Sequence, residues 1–124
     1  ALGNAQIQTL EERVQKKRKI FTTYQDKIKG VDWQKEGKKG YSNRWLSSIQ
    51  FNNDLAIDLD KLKERMLIEE IETRLSWKPM HRQPIFKDCK AYLDGTSDQL
   101  FHSVLCLPSG VGLTLDEQER VIDT

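Results

Sequence analysis

The sequence VDWQKEGKKGYSNRWLSSIQF, residues 31–51, decides the fold because it joins two apolar, alternating segments through a glycine-flanked turn. Val31 and Trp33 alternate with polar neighbours, as the residues of a short strand do. Residues 37–40, Gly-Lys-Lys-Gly, are typical of a turn. Residues 41–51 predict a longer strand with Trp45, Ile49 and Phe51 on or near one face. We therefore expect the two strands to pair as a β-hairpin.

Helices are predicted on both sides of this hairpin. Apolar residues recur at three- and four-residue steps from the start of the chain, which predicts a helix that runs to Lys29. Gly30 suits the left-handed conformation of a helix C-terminus. After a break at residues 52–54, Asp58 can cap a second helix that ends near Ile71. Its predicted apolar stripe comprises Leu59, Leu62, Met66 and Leu67.

The C-terminal half predicts two further strands and a loop. Residues 73–77 form a candidate strand, and residues 104–107 form a short buried one. Pro79 and Pro84 bracket an irregular loop, because proline lacks a backbone donor and restricts the preceding residue. This loop contains His81.

Two helices in the C-terminal half are predicted from capping boxes. Thr96 with Gln99 and Thr114 with Glu117 have the spacing at which the two side chains satisfy each other's backbone amides. The order is then helix, two strands, helix, strand, helix, strand, helix. This order indicates an α+β fold, with helices packed on one small, mainly antiparallel sheet.

Composition limits the classes of function. The 124 residues suit one domain, and a net charge of +1 creates no field that would attract nucleic acid or a membrane surface. The apolar runs are shorter than the roughly 20 residues of a membrane span, and no signal peptide is recognisable, so we expect a cytoplasmic protein. Cys89 and Cys106 are expected to be reduced, partly buried thiols. The basic residues 16–19 are interpreted as a solvated helix surface.

Residue patterns alone identify no active site, since the chain has no phosphate loop, no HExxH and no nucleophile elbow. His102 is interpreted as a structural or surface histidine. The loop from Trp77 to His81 places an aromatic ring, a cation and an imidazole together, as binding loops do. Lys78 and Arg82 could hold an anion there, with His81 as a neutral donor, or the stretch could be a solvated loop edge.

Four stretches of the chain, taken in order, resemble one family. Residues 1–10, ALGNAQIQTL, resemble the AALGLAQL-type helix start of the DegT/DnrJ/StrS nucleotide-sugar aminotransferases. SNRWL at residues 42–46, ETRLSWKPMHRQPIF at residues 72–86 and LCLPSG at residues 105–110 resemble motifs of the branch that aminates UDP-4-keto-6-deoxy-N-acetylhexosamines. Together the motifs cover nearly the whole chain.

The resemblance implies a fold-type I aminotransferase that depends on pyridoxal phosphate. In this family a large domain holds the cofactor on a lysine, dimerisation completes each active site, glutamate gives the amino group, and the acceptor is the 4-keto sugar. Residues 1–124 would be the C-terminal small domain, starting inside the helix that leaves the large domain. The catalytic lysine would lie outside this chain, so we expect the chain alone to bind no cofactor and to be inactive.

The resemblance also implies a set of substrate-binding residues, with His81 as the best candidate and Trp77 and Met80 as the wall beside it. The full set is His81, Trp77, Lys78, Met80, Ser109, Asn43 and Arg44. No metal site is expected. Two alternatives stay open: a non-catalytic interaction module that uses the basic residues 16–19, and a sugar dehydratase of the same family.

Overall fold

The computed structural model describes residues 2–51 and 57–124. Helices precede and follow four short strands. The helices are α1 (Leu2–Ile7), α2 (Leu10–Lys27), α3 (Leu59–Ile68), α4 (Thr96–Ser103) and α5 (Leu115–Asp123). The strands are β1 (Val31–Trp33), β2 (Ser47–Phe51), β3 (Arg74–Leu75) and β4 (Val104–Leu107). Two short 3₁₀ helices, Met80–Arg82 and Pro84–Phe86, lie between β3 and α4.

The four strands form one antiparallel sheet in the order β1-β2-β4-β3. The predicted hairpin is confirmed, because Val31 pairs with Phe51 across β1 and β2. The pairing of Ile49 with Leu105 joins β2 to β4 at the middle of the sheet. The predicted α+β class, with helices on a small antiparallel sheet, is therefore confirmed.

One face of the sheet is closed by helices. Side chains alternate along a strand, so Ile49, Leu105 and Leu107 point to the same face and are buried there. Tyr24 of α2 is fully buried in this core, and its hydroxyl donates a 2.9 Å hydrogen bond to the carbonyl of Pro108. Further core residues come from α2, α3 and α5 and from the segment after α3: Ile20, Leu59, Met66, Val121 and Ile71.

The predicted first helix differs from the structure in two ways. It is two helices, α1 and α2, because the chain turns at residues 8–9. There the Thr9 amide and hydroxyl both donate to the carbonyl of Gln6, an alternative to the helical ladder that threonine offers. The second helix ends at Lys27, two residues early, and Gly30 has the expected left-handed φ of 77°.

The predicted strand at residues 41–51 is wrong in its first half, since β2 begins only at Ser47. The Ser42 hydroxyl and the Asn43 side-chain oxygen accept the amides of Arg44 and Trp45, two residues further on. Such side-chain turns replace strand pairing, and Arg44 takes a left-handed φ of 48°. Trp45 consequently does not share the core face with Ile49.

The remaining boundaries follow local capping. Asp58 caps α3 as predicted, but the helix ends at Ile68 rather than near Ile71, and Leu67 is exposed instead of joining the apolar stripe. The left-handed Glu70 turns the chain there.

The capping box of Thr114 with Glu117 is confirmed. The box predicted at Thr96 is wrong, because Gly95 is the N-cap residue of α4 and Thr96 is already helical. The Asp94 carboxylate, not Gln99, accepts the Thr96 amide. The break predicted at residues 52–54 lies outside the described residues.

Candidate functional site

The face of the sheet opposite the core carries a cleft of about 560 Å³, which we call the tryptophan cleft. Ser48 and Gln50 of β2 alternate with the core residues and line this cleft, together with Cys106 of β4. Trp45 and Trp77 stack on each other at its rim, with ring centroids 5.9 Å apart and planes inclined by 30°. The two rings remain 62% and 66% exposed, so a large aromatic surface is available to a ligand.

Hydrogen bonds to the backbone at and beside the two tryptophans hold both residues in place. Before Trp77, the Ser76 amide donates to the carbonyl of Val104, and the Ser76 hydroxyl donates to the carbonyl of Leu100. Before Trp45, the Asn43 side chain accepts the Trp45 amide, and the Lys17 ammonium donates to the Trp45 carbonyl at 2.8 Å. The sequence places the two rings in separate motifs, and the sheet brings them together.

The Glu36 carboxylate anchors the segment that carries Asn43 and Trp45. The Arg18 guanidinium donates to both of its oxygens, and the Ser42 amide donates to one of them. The Arg18 hydrogen bond, followed by that of the Ser42 amide, lowers the pKa of Glu36 from its ordinary 4.5 to about 2.

The predicted Trp77–His81 loop is confirmed as irregular and ends in the 3₁₀ helix Met80–Arg82. The Gln83 side-chain amide donates to the Lys78 carbonyl and closes the loop on itself. Met80 and His81 line a second cleft of about 410 Å³, which shares Ser97 of α4 with the tryptophan cleft. The two clefts therefore adjoin at the start of α4.

His81 is half-buried and lies against helix α4. Its Nε2 is 2.9 Å from one oxygen of the Asp98 carboxylate, and the Arg82 Nε is 3.0 Å from the other oxygen. Arg82 also contacts His102, whose Nε2 lies 2.8 Å from a terminal guanidinium nitrogen. Arg82 is thus engaged within the chain, which leaves it less suited to the anion-binding role that the sequence suggested.

Arg44 and Ser109 are buried, and their side chains have structural roles. The Arg44 guanidinium lies 3.8 Å from the Phe21 ring centre and donates to the Gln34 carbonyl. The Ser109 hydroxyl accepts the Ser47 amide and donates to the Leu107 carbonyl. Arg44 still borders the tryptophan cleft, whereas Ser109 is not among the residues that line it. A substrate role for either side chain stays a prediction.

The basic run at residues 16–19 contributes to intrachain contacts rather than to a free cationic surface. Lys16 pairs with Glu12, and Arg18 pairs with Glu36. The Lys17 ammonium donates to two backbone carbonyls, those of Trp45 and Ser109. Three of the four cations are therefore engaged, which disfavours the alternative of an interaction module built on this run.

Two partners of the site were not predicted from the sequence. Trp45 lies in the SNRWL motif at residues 42–46 and Trp77 in the motif at residues 72–86, so two aromatic residues in family motifs are the signal that could have indicated their stacking. Asp98 carries no such signal, because its contact with His81 joins two elements that are distant along the chain.

Other site chemistries find little support within residues 2–51 and 57–124. No group of three or more histidine, cysteine, aspartate or glutamate side chains there could hold a metal ion. In the same part of the chain, no helix is long and apolar enough to cross a bilayer. Cys106 is buried and Cys89 is exposed, and both are free thiols.

The fold and the cleft define a small α+β domain with an aromatic cleft on the open face of its sheet. The chain belongs to the DegT/DnrJ/EryC1/StrS aminotransferase family, whose model matches residues 1–124. The family predicted from the sequence motifs is therefore confirmed.

Known proteins agree with this assignment. The chain is 40% identical to EpsN of Bacillus subtilis (strain 168), named as a pyridoxal phosphate-dependent aminotransferase, over 98% of its own length and 33% of EpsN. It is 26% identical to the GDP-perosamine synthase of Vibrio cholerae, over 98% of the chain and 34% of that protein.

A solved structure has the same fold. The Helicobacter pylori aminotransferase PseC superimposes on 98% of this chain with a TM-score of 0.84, at 17% identity and over 34% of PseC. The chain thus spans about a third of the length of these relatives.

Proposed function

We propose that the chain is the C-terminal small domain of a pyridoxal phosphate-dependent aminotransferase that acts on a nucleotide-linked sugar. The observation that carries the proposal is the family match over all 124 residues. In finer detail, we propose that glutamate gives the amino group and that a UDP-linked 4-keto-6-deoxy sugar receives it at the keto carbon, for surface polysaccharide or glycan biosynthesis. The whole protein would act as a cytoplasmic homodimer.

The residues of this chain do not fit the cofactor's own site. A Schiff base needs a lysine in an enclosed pocket. No lysine is among the described residues that line the tryptophan cleft, and Lys90 of the second cleft is exposed. We therefore place the lysine in the rest of the protein and expect this chain alone to be inactive.

What this chain would supply is a wall of the substrate site. The stacked rings of Trp45 and Trp77 offer an apolar surface of the kind that packs against sugar and base rings. Asn43 borders the same cleft with an exposed amide. His81 and Met80 line the adjoining cleft, and Lys78 is an exposed residue of the same loop. This grouping supports a substrate role for these residues.

The nucleotide sugar is supported by the names of relatives. GDP-perosamine synthase is named for a nucleotide-linked amino sugar, and PseC is described as an aminotransferase in the biosynthesis of pseudoaminic acid. The choice of UDP over GDP rests on the resemblance of residues 42–46, 72–86 and 105–110 to motifs of the UDP-sugar branch, and it is the finest part of the proposal.

The test uses the full-length protein with added pyridoxal phosphate. We expect a visible absorbance band from the lysine-bound cofactor, which glutamate bleaches and a UDP-linked 4-keto-6-deoxy sugar restores. The 124-residue chain, treated in the same way, should show no band. A full-length protein whose band glutamate leaves unchanged would contradict amino transfer from glutamate, and restoration only by a GDP-linked sugar would overturn the UDP assignment.

A further inference from the structure

Lys17 of helix α2 joins two segments that lie far apart along the chain. Its ammonium donates to the Trp45 carbonyl at 2.8 Å and to the Ser109 carbonyl at 2.7 Å. Trp45 precedes strand β2, and Ser109 follows strand β4. The neighbouring cations Lys16 and Arg18 pair with carboxylates instead. Lys17 is thus the member of the basic run that links two stretches of backbone.

The backbone at Trp45 is held on both sides. Its amide donates to the Asn43 side-chain oxygen, and its carbonyl accepts the Lys17 ammonium. Two residues further on, the Ser47 amide donates to the Ser109 hydroxyl at 2.9 Å. Ser109 therefore contributes twice, with its carbonyl to Lys17 and with its hydroxyl to Ser47. Together, Lys17 and Ser109 determine where the Trp45 backbone lies relative to the end of β4.

The turn just before Trp45 needs contacts of this kind. Arg44 has a left-handed φ of 48°, which non-glycine residues seldom adopt and which persists only where the surroundings hold it. The Arg44 guanidinium donates to the Gln34 carbonyl at 2.8 Å and holds the turn from one side. Lys17 holds it from the other side, at the carbonyl of the next residue. Loss of the Lys17 contact frees the turn to relax, which changes the direction of the Trp45 ring.

Stacking alone is too weak to fix the two rings of the tryptophan cleft. Trp45 and Trp77 are mostly exposed, and the stacking of exposed rings gains little more free energy than the ordering of the side chains costs. Trp77 is held independently, because the Ser76 amide and hydroxyl donate to carbonyls of β4 and α4. The position of Trp45 is therefore the variable part of the pair, and it depends on Lys17.

We propose that Lys17 is a positioning residue, which holds Trp45 against Trp77 and so keeps the tryptophan cleft in the shape that the sugar nucleotide enters. This inference rests on the proposed function, in which the cleft is a wall of the substrate site. Lys17 acts inside the molecule, whereas the sequence analysis interpreted residues 16–19 as a solvated helix surface. Its effect falls on the binding of the sugar nucleotide, because the cofactor lysine is placed outside this chain.

The first measurement is the far-ultraviolet circular dichroism spectrum of the full-length protein. Two stacked indole rings couple and give a pair of bands of opposite sign, and the difference between the parent and Trp45→Phe defines this signal. Lys17→Met, which keeps a long side chain but removes the donor, should abolish most of the signal. The control Lys19→Met, which removes the same charge from an exposed site of the same helix, should leave it unchanged.

The second measurement is kinetic and separates positioning from a general defect. Lys17→Met should raise KM for the sugar nucleotide about tenfold, the size expected for the loss of one hydrogen bond from a charged donor, with kcat and the reaction with glutamate unchanged. In a Trp45→Ala background the same substitution should have no further effect, because no ring is left to position. If Lys17→Met does not fold, Lys17→Gln, which keeps an uncharged donor on a shorter side chain, should change the signal and KM in the same direction.

Three results would overturn the inference: a circular dichroism signal that Lys17→Met does not change, an unchanged KM, or an equal rise of KM in Lys19→Met. A Lys17→Met effect that persists in full in the Trp45→Ala background would do the same. A parent that does not react with glutamate would contradict the proposed function instead. In that case the circular dichroism signal would still decide whether Lys17 positions Trp45.

Discussion

The two faces of the sheet use the same strands for opposite purposes. On the core face, Ile49 and Leu105 belong to the buried apolar cluster that the helices cover. On the open face, Ser48, one position before Ile49, and Cys106, one position after Leu105, border the tryptophan cleft. Because neighbouring residues point to opposite faces, the sequence can fix the fold and present a ligand surface independently. Substitutions on the two faces should therefore have separable effects.

The largest effect on stability is expected at the centre of the core face. Leu105 is 0% exposed, and Leu105→Ala would leave a cavity between β4 and the helices. We expect it to lower the free energy of unfolding of the 124-residue chain by about 2–5 kcal/mol, measured by urea denaturation. The matched control Leu67→Ala, at an exposed leucine of α3, should cost under about 1 kcal/mol. Similar losses of stability at both positions would refute the burial of Leu105 at the centre of the core.

A smaller loss is expected from the hydroxyl of Tyr24. The Tyr24→Phe variant keeps the ring but leaves the Pro108 carbonyl without its 2.9 Å donor. We expect a cost of about 1–2 kcal/mol in the same denaturation experiment, because a half-buried acceptor loses its partner. Tyr92→Phe, at an exposed ring, should be neutral. If Tyr24→Phe left the free energy of unfolding unchanged, water would have to replace the hydroxyl at the Pro108 carbonyl.

The Glu36 carboxylate makes a pH-dependent contribution to the free energy of unfolding. Its folded-state pKa of about 2 lies below the ordinary 4.5, so the ionised carboxylate stabilises the fold above about pH 4.5. That contribution is lost as the pH falls toward 2. The stability difference between the parent chain and Glu36→Gln should therefore be full at neutral pH and shrink through this window. A difference that is the same at both ends of the window would contradict the Arg18 pairing.

The smallest effect on stability is expected on the open face. Trp77 is mostly exposed and contacts Trp45 by stacking alone, so Trp77→Ala should cost less than about 1 kcal/mol. The same change at Trp33, whose ring packs edge-on against buried Phe21, should cost about 2 kcal/mol or more. A larger loss of stability at Trp77 than at Trp33 would mean that the tryptophan cleft is part of the hydrophobic core.

Most of the fold could be predicted because short-range chemistry decides it. The β1–β2 hairpin, the strand at residues 104–107 and the Thr114 capping box all follow from residues within one segment. The first helix and the second strand were predicted too long because side chains hydrogen-bond to the backbone of nearby residues there. Ser42 and Asn43 do so before β2, and Thr9 does so between α1 and α2. These local bonds compete with regular structure, and apolar periodicity does not report them.

The candidate site could be predicted only in part. Family motifs indicated the Trp77–His81 loop, and the structure places that loop beside the cleft. The partners of the loop, Trp45 and Asp98, come from other elements, and only the folded sheet and helix α4 bring them near. The burial of Arg44 could not be predicted either, because it depends on the left-handed turn before β2.

The most direct test of the central claim is the activity of His81→Ala in the full-length protein, with cofactor binding and the two half-reactions measured separately. His81 lines the second cleft, and no lysine among the described residues lines the adjoining tryptophan cleft. We therefore expect the reaction with the sugar nucleotide to slow about tenfold or more, whereas cofactor binding and the reaction with glutamate stay unchanged. An unchanged rate with the cognate sugar would remove His81 and its loop from the substrate site.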